Sequence, residues 1–212
     1  MARSYFEDHI FDLSAAEDEL AAFKHLLDSN TDLAERRQVL ANFDTWPNLC
    51  AMFGFYHGRI QFADRIKREF RIGSFFRTDL TVRRSETDGI CVVEFEGASS
   101  RDIFEPGGQG IDPWARPFEK GFSQVVDWAW ALDTYRTNPD FIDAFGSSRP
   151  NLIGVLVIGR STCLAQAVPK DRWEWRRNKV NVDGMKVSLI TFDELYEDFK
   201  VMLTLKRAGL SR

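Results

Sequence analysis

Two glutamates at the end of an apolar segment are the residues best suited to chemistry in this sequence. Glu94 and Glu96 belong to the stretch Ile90-Cys-Val-Val-Glu-Phe-Glu-Gly97, which has the length and composition of a strand. Because side chains alternate between the faces of a strand, both glutamates share one face with Val92. Like charges repel, and burial adds a desolvation cost, so this pair favours a bound divalent cation.

A third carboxylate is expected to join this pair. Asp79 lies in the preceding segment, Thr78-Asp-Leu-Thr-Val82, and a hairpin pairing of the two strands would bring it to the Glu94–Glu96 face. Three converging carboxylates suit hard, octahedral Mg²⁺ or Mn²⁺. The alternative is that these acids are solvated at the exposed end of a sheet, and an E-x-E pattern by itself leaves that alternative open.

Helices are predicted for the N-terminal part of the chain. A capping box, Ser14-Ala-Ala-Glu17, indicates a first helix that ends near Asp28. A second helix begins near Asp32, and a third begins at Pro47 and ends at Gly54.

From Arg59 the pattern becomes typical of strands, which are predicted at 66–72, 76–83 and 89–96. The aperiodic stretch 97–117 contains Gly107-Gly108-Gln109-Gly110 and is interpreted as a long mobile loop. The later elements are a helix with an apolar face that includes Phe118 and Leu132, strands at 151–159 and 187–190, and a final helix that starts with the capping box Thr191-Phe-Asp-Glu194.

This order of elements predicts an α/β (α+β) fold. A central mixed sheet of about four or five strands would have helices on both faces, since that packing buries the apolar face of every element. We expect residues 1–57 to form a helical segment packed on a core made by residues 58–212.

Composition excludes several classes of protein. The 212 residues carry a net charge of −4, which argues against a protein that simply coats nucleic acid. No run of about 18 apolar residues occurs, so no membrane-spanning segment is expected. The three cysteines and three histidines are scattered, which disfavours a disulfide framework, a zinc site or a Ser-His-Asp triad and indicates a reducing, cytoplasmic location.

The order of the acidic residues resembles the PD-(D/E)xK nuclease superfamily, and in particular the nuclease domain of Shedu anti-phage defence proteins. The superfamily pattern is an acid on one strand, (D/E)-x-K on the next, and a helix that carries a glutamine. Asp79, Glu94-Phe-Glu96 and Gln124 follow that order. Further similarities to the Shedu family extend from about residue 14 to residue 200 and are Glu35, Asp127-Trp128, Ile158-Gly-Arg160 and Ile190-Thr-Phe-Asp-Glu-Leu195.

The resemblance implies a restriction-endonuclease-like fold and roles for individual residues. Asp79 and Glu94 would bind Mg²⁺ or Mn²⁺, Glu35 would complete or tune the metal site, and Gln124 would orient water or a phosphate oxygen. Glu96 departs from the pattern because it occupies the lysine position. Three explanations stay open: Glu96 acts as a base or a further metal ligand, the positive charge has moved to Lys120 on the helix, or catalysis has been lost.

Basic residues are the candidates for contact with nucleic acid. Arg172-Trp-Glu-Trp-Arg-Arg177 interleaves rings and cations, which suits phosphate contact and base stacking, and its alternative is a strand with Trp173 and Trp175 facing the core. Two further predictions are Arg83-Arg84, which are also common at exposed strand ends, and Arg160, which follows an apolar strand. The contact set is Arg83, Arg84, Arg160, Arg172, Arg176 and Arg177.

The function implied by this resemblance is metal-dependent hydrolysis of DNA in anti-phage defence, by a protein that self-associates into a homo-oligomer. Asp79, Glu94, Glu96, Gln124, Lys120 and Glu35 are the predicted catalytic set. The alternative function is a catalytically silent nuclease fold that binds nucleic acid or mediates assembly. A third alternative is an interaction domain without a nucleic-acid role.

Overall fold

A mixed β-sheet separates two helical layers in the computed structural model, which describes residues 6–106, 111–182 and 184–210. The strands in these residues are β1 (Glu7–Asp8), β2 (Arg65–Arg68), β3 (Arg71–Ile72), β4 (Phe76–Arg77), β5 (Leu80–Arg83), β6 (Gly89–Phe95), β7 (Asn151–Val157), β8 (Asn181–Val182) and β9 (Met185–Ile190).

The helices of the same residues are α1 (Leu13–Ser29), α2 (Ala41–Phe43), α3 (Pro47–Met52), α4 (Arg116–Tyr135), α5 (Pro139–Phe145), α6 (Ala167–Lys179) and α7 (Phe192–Arg207). A π-helical segment, Glu35–Leu40, leads into α2, and 3₁₀ turns occupy Phe53–Tyr56 and Ser161–Leu164. Within the described residues, no helix is both long enough and apolar enough to cross a membrane.

Seven strands form the main sheet, in the order β1-β2-β5-β6-β7-β9-β8. From β1 to β6 neighbouring strands are antiparallel, whereas β6, β7 and β9 run parallel. The helices α4 and α5 connect β6 to β7, and α6 lies in the connection from β7 to β9. The carboxyl ends of β6 and β7 therefore meet at one edge of the sheet, where α/β proteins commonly place their ligand sites.

Side chains of β6 point alternately into two cores. Cys91, Val93 and Phe95 pack in the core that contains α1, α3 and α7. Ile90 and Val92 pack in the core that contains α4, α5 and the Trp173 side chain of α6. Every residue of β6 is buried, which is typical of a strand covered on both faces.

The mixed sheet with helices on both faces confirms the predicted α/β class. The five longer strands of the main sheet, β2, β5, β6, β7 and β9, are the predicted ones, and β1 and β8 add two-residue edges. The capping box of α7 is confirmed, since Thr191 and Glu194 bond each other's backbone N–H groups.

Other local predictions are wrong. The first helix is capped by Asp12, whose side chain accepts the Ala15 N–H, and Ser14 lies inside the helix. The strand predicted at 66–72 is interrupted where Glu69 adopts a positive φ of 50°. Residues 172–177 lie in α6, which overturns the strand interpretation of that segment.

The stretch 97–117 is packed where the structure describes it. Phe104 forms a β-bridge with Trp114, and Ile103 and Ala115 are fully buried. The predicted flexible Gly107–Gly110 sequence lies outside the described residues. The described flanks of the predicted loop therefore contribute to the core instead of covering it loosely.

The helical segment predicted at 1–57 shares its core with the rest of the chain. Phe23 of α1 contacts Tyr196 of α7, and Phe53 contacts both Phe95 of β6 and Phe199 of α7. These contacts make α1 and α3 part of one helical layer of the sheet.

Candidate active site

The two glutamates lie at the carboxyl end of β6, on the face covered by α4. Glu94 belongs to the strand, and Glu96 extends the parallel pairing because its N–H donates to the Val157 carbonyl at 3.0 Å. Both residues are only 3% exposed. A solvated pair of surface acids is thereby excluded, and the face predicted from alternation is the observed one.

Asp79 approaches this face from the residue before β5. The pairing of Leu80 with Val93 is the predicted hairpin and places Asp79 beside Glu94. The Phe95 N–H donates to the Asp79 carboxylate at 2.8 Å, which fixes the side chain over the strand end.

Asp79, which is partly exposed, and Glu94, which is buried, form a largely buried carboxyl pair. Burial raises the pKa of Asp79 to about 6, against the lowering effect of the Phe95 N–H. Burial raises the pKa of Glu94 further, and the neighbouring charge of Asp79 adds to this effect. Two adjacent carboxylates repel each other at low dielectric, so ionisation of both members of the pair is costly.

Lys120 brings a positive charge to the third carboxylate. It lies in the first turns of α4, and its Nζ is 2.8 Å from Glu96 Oε1 and 3.7 Å from Glu35 Oε2. Burial raises the pKa of Glu96 to about 7, although the hydrogen bond from Lys120 opposes that rise. Burial lowers the pKa of Lys120, but the hydrogen bond to Glu96 and the nearby acids outweigh it, so the net shift is upward.

Gly121 allows α4 to approach the glutamates closely. A Cβ at this position would lie 2.9 Å from Glu96 Cγ and 2.7 Å from Leu156 Cδ1, closer than packed atoms allow. Sequence reasoning missed this residue. The available signal was a glycine inside a strongly periodic helix, which costs about 1 kcal/mol relative to alanine and so indicates a packing or functional reason.

Glu35 is the first residue of the π-helical segment, and its carboxylate lies near the Lys120 ammonium. Paired backbone hydrogen bonds between Leu33 and Ala98 hold this segment against the strand end. The result is an open cleft of about 560 Å³, lined by Asp32, Leu33, Ala34, Glu35, Gln38, Glu96, Gly97, Ser99, Asp102 and Pro117. Glu35 and Glu96, the two acids that contact Lys120, both line this cleft.

Two buried side-chain oxygen atoms, one on β6 and one on α4, have no hydrogen-bond partner among the described residues. They are Glu94 Oε2 and Gln124 Oε1, and Gln124 lies one turn after Lys120 on α4. An unpaired buried oxygen is costly, so each marks a place where water, a cation or a substrate donor fits.

The donor set fits a divalent cation held by few protein ligands. Within the described ranges, no three or more His, Cys, Asp or Glu side chains are arranged to hold a metal ion. Glu96 is engaged by Lys120, which leaves Asp79 and Glu94 as the fitting pair. Mg²⁺ is commonly bound by one or two carboxylates, with water and phosphate oxygens completing its shell.

Three of the predicted nucleic-acid contacts bond groups other than the three site carboxylates. Arg83 is at the far end of β5, roughly 13 Å from Asp79 at about 3.3 Å per residue, and donates to the Ala144 carbonyl. Arg84 is beside it and pairs with Glu86. Arg160 bonds Asp193 and the carbonyls of Leu27 and Asn30, so it joins α1 to α7 as a structural residue.

The other three contacts belong to α6, which lies beside α4. Arg176 pairs with Glu119 at 2.8 Å, and Arg177 pairs with Glu194 at the same distance. Arg172 donates to the Asp112 carbonyl. These residues are therefore close to the start of α4, which carries Lys120.

Fold and site together define an α/β protein with a buried acidic site at the carboxyl end of its sheet. The family model described as Shedu protein SduA, C-terminal, matches residues 16–196, and the chain belongs to this family. This match confirms the Shedu resemblance. A comparison with curated proteins found no match.

The raised carboxyl pKa values predict a pH-dependent stability in metal-free protein. An acid whose pKa is higher in the folded state stabilises the fold below its unfolded pKa, and that contribution is lost as pH rises through the folded pKa. For Glu96 the loss should occur between its ordinary value of 4.5 and about 7. Urea unfolding in EDTA should therefore show a smaller fall in stability from pH 4.5 to 8 for Glu96→Gln than for the wild type.

The matched control for this measurement is Glu197→Gln, an exposed residue of α7. Its profile should be parallel to that of the wild type. A parallel profile for Glu96→Gln as well would contradict a perturbed carboxyl at this position.

Proposed function

We propose that this protein is a divalent-metal-dependent nuclease that hydrolyses phosphodiester bonds of DNA. Membership of the Shedu family suggests a part in anti-phage defence, and the family is associated with a defence nuclease role. The mixed sheet with acids at the carboxyl end of β6 supports a PD-(D/E)xK fold for this chain.

The position of Lys120 is the observation that carries the proposal. Glu96 occupies the position where the superfamily pattern has lysine, yet an ammonium lies 2.8 Å from its Oε1. The positive charge of Lys120 thus comes from α4 instead of β6, next to the strand end that carries Glu94. This arrangement favours a relocated catalytic lysine over a lost one.

Asp79 and Glu94 would hold Mg²⁺ or Mn²⁺, which lowers the pKa of bound water and stabilises charge on the attacked phosphate. Glu96 is placed to accept a proton from the attacking water, since its pKa of about 7 suits exchange at neutral pH. Lys120 stabilises negative charge on the phosphate. The Glu35 carboxylate, 3.7 Å from Lys120 Nζ, orients the Lys120 ammonium. The Gln124 amide oxygen is buried without a hydrogen-bond partner, and it would accept a hydrogen bond from the attacking water.

Cleavage of linear and supercoiled DNA tests the proposal. Wild-type protein should cleave with Mg²⁺ or Mn²⁺ and not with EDTA, and Asp79→Asn or Glu94→Gln should abolish cleavage because the metal loses a ligand. The control Glu197→Gln, on the opposite helical layer, should cleave as the wild type does. Unchanged cleavage by both folded site variants would refute the site assignment.

Lys120→Gln tests the relocated cation. Loss of a group that stabilises transition-state charge should lower kcat about 10²- to 10³-fold, measured in single-turnover cleavage. Lys200→Gln is the matched control, because Lys200 is an exposed lysine of α7 that pairs only with Glu197 in the described salt bridges. Equal rates for Lys120→Gln and wild type would show that this ammonium is not part of the chemistry.

The second candidate function is a silent nuclease fold that binds DNA or mediates assembly. It is favoured by the carboxylate of Glu96, which cannot itself neutralise a phosphate. Metal-independent DNA binding without cleavage under Mg²⁺ or Mn²⁺ would select it. Self-association, implied by the family resemblance, forms part of both candidates and is measurable by light scattering.

A further inference from the structure

A stripe of basic and aromatic side chains on α6 has no part in the proposed chemistry. Arg172, Trp175, Arg176 and Lys179 are spaced i, i+3, i+4 and i+7, so they lie on one face of the helix, here called the α6 stripe. Trp173 lies on another face, fully buried against Phe118 of α4. The stripe carries three basic side chains. Its tryptophan, Trp175, is 64% exposed to solvent.

An aromatic floor holds the two arginines of the stripe in place. The Arg172 guanidinium lies 5.0 Å from the ring centres of both Phe104 and Trp114. The Arg176 guanidinium lies 4.9 Å from the Trp114 ring centre and 4.2 Å from that of Phe122. Stacking fixes the positions of both guanidinium groups. Both terminal nitrogens of Arg176 donate to the Glu119 carboxylate, whereas Arg172 donates to the Asp112 carbonyl through one nitrogen.

The α6 stripe borders the acidic site. Arg176 is paired with Glu119 at 2.8 Å, and the next residue of α4, Lys120, reaches Glu96. Arg176 of the stripe therefore contacts the turn of α4 that carries Lys120.

A surface pocket of about 480 Å³ is formed along the stripe, and its lining is Trp114, Phe122, Arg172, Trp175, Arg176 and Val180. Flat rings beside fixed cations match the chemistry of a nucleotide, whose base stacks and whose phosphate is negative.

We propose that the α6 stripe binds single-stranded DNA, with an unpaired base stacked on Trp175 and the neighbouring phosphates held by Arg172 and Lys179, since Arg176 is paired with Glu119. In a duplex both faces of a base are covered by stacking, so an exposed indole can reach a base only where the strand is unpaired. The assignment rests on the proposed nuclease function and deepens it by naming the substrate class: DNA with unpaired nucleotides beside the scissile phosphate.

Fluorescence anisotropy in EDTA tests binding separately from cleavage. The probes are a labelled single strand of about 12 nucleotides, within the usual site size, and a blunt duplex of the same sequence. Wild-type protein should bind the single strand more tightly than the duplex. Trp175→Ala should weaken single-strand binding about 5- to 150-fold, whereas Trp175→Phe should retain most of it.

Trp130→Ala is the matched control, because Trp130 is a 61% exposed tryptophan in the C-terminal half of α4. It should bind as the wild type does. Lys179→Gln should lower the slope of log affinity against log salt by roughly 0.7, the value for one phosphate contact on a single strand.

Several outcomes would overturn the assignment. They are equal single-strand affinity for Trp175→Ala and wild type, no single-strand binding by a protein that cleaves duplex DNA, and a Trp175→Ala variant that changes oligomeric mass while keeping its affinity. The second of these leaves the nuclease proposal intact. Conversely, Trp175-dependent binding without cleavage under Mg²⁺ or Mn²⁺ supports the stripe and refutes the nuclease.

Discussion

Three largely buried carboxyl groups at the carboxyl end of β6 repel one another, and neighbouring groups offset that repulsion. Asp79, Glu94 and Glu96 lie where water is largely excluded, so their charges repel strongly and lose hydration. One N–H donor and one ammonium oppose that cost: Phe95 donates to Asp79, and Lys120 donates to Glu96. Glu94 keeps an unpaired oxygen, which makes it the group most dependent on a proton or a cation.

The connection from β6 to β7 supplies the positive charge that these carboxyl groups require. The parallel pairing of β6 with β7 needs a crossover, and α4 in that crossover returns across the carboxylate face. Its Gly121 permits close approach, and its Lys120 neutralises Glu96 from one helical position earlier. The crossover helix therefore supplies the positive charge at the end of β6.

Stability and chemistry conflict at this site. A hydrophobic residue at position 94 would remove the repulsion that raises the pKa of Glu94. Carboxyls with perturbed pKa values concentrate at functional sites, which favours a functional role for Asp79 and Glu94. The neighbouring α6 stripe holds two arginines against aromatic rings beside the start of α4.

The sequence contained enough to predict the sheet and the acidic cluster. Alternation in 90–97 and the hairpin register placed Glu94, Glu96 and Asp79 together, and helical spacing placed Lys120 and Gln124 on one face. These inferences depend on the side-chain periodicity of a strand and of a helix, and residues 89–95 and 116–135 form a strand and a helix in the structure.

Other features depend on tertiary contacts and were not predictable in the same way. Helix α6 buries only Pro169 and Trp173, so its apolar pattern is too sparse to reveal a helix. The partners of Arg160 include carbonyls more than a hundred positions away in the chain. The interruption after β2 follows from a positive φ at Glu69, which residue type alone does not indicate.

Calorimetric titration of Mn²⁺ into the protein at pH 7 tests the central claim, that the buried carboxyls serve a divalent cation. Titration in two buffers of different ionisation enthalpy also counts the protons released. Wild-type protein should bind Mn²⁺ and release protons, because the cation replaces the proton held by the Asp79–Glu94 pair, and Glu94→Gln should lose this binding. Folded wild-type protein that binds no Mn²⁺, or a Glu94→Gln variant that binds it equally well, would contradict the account.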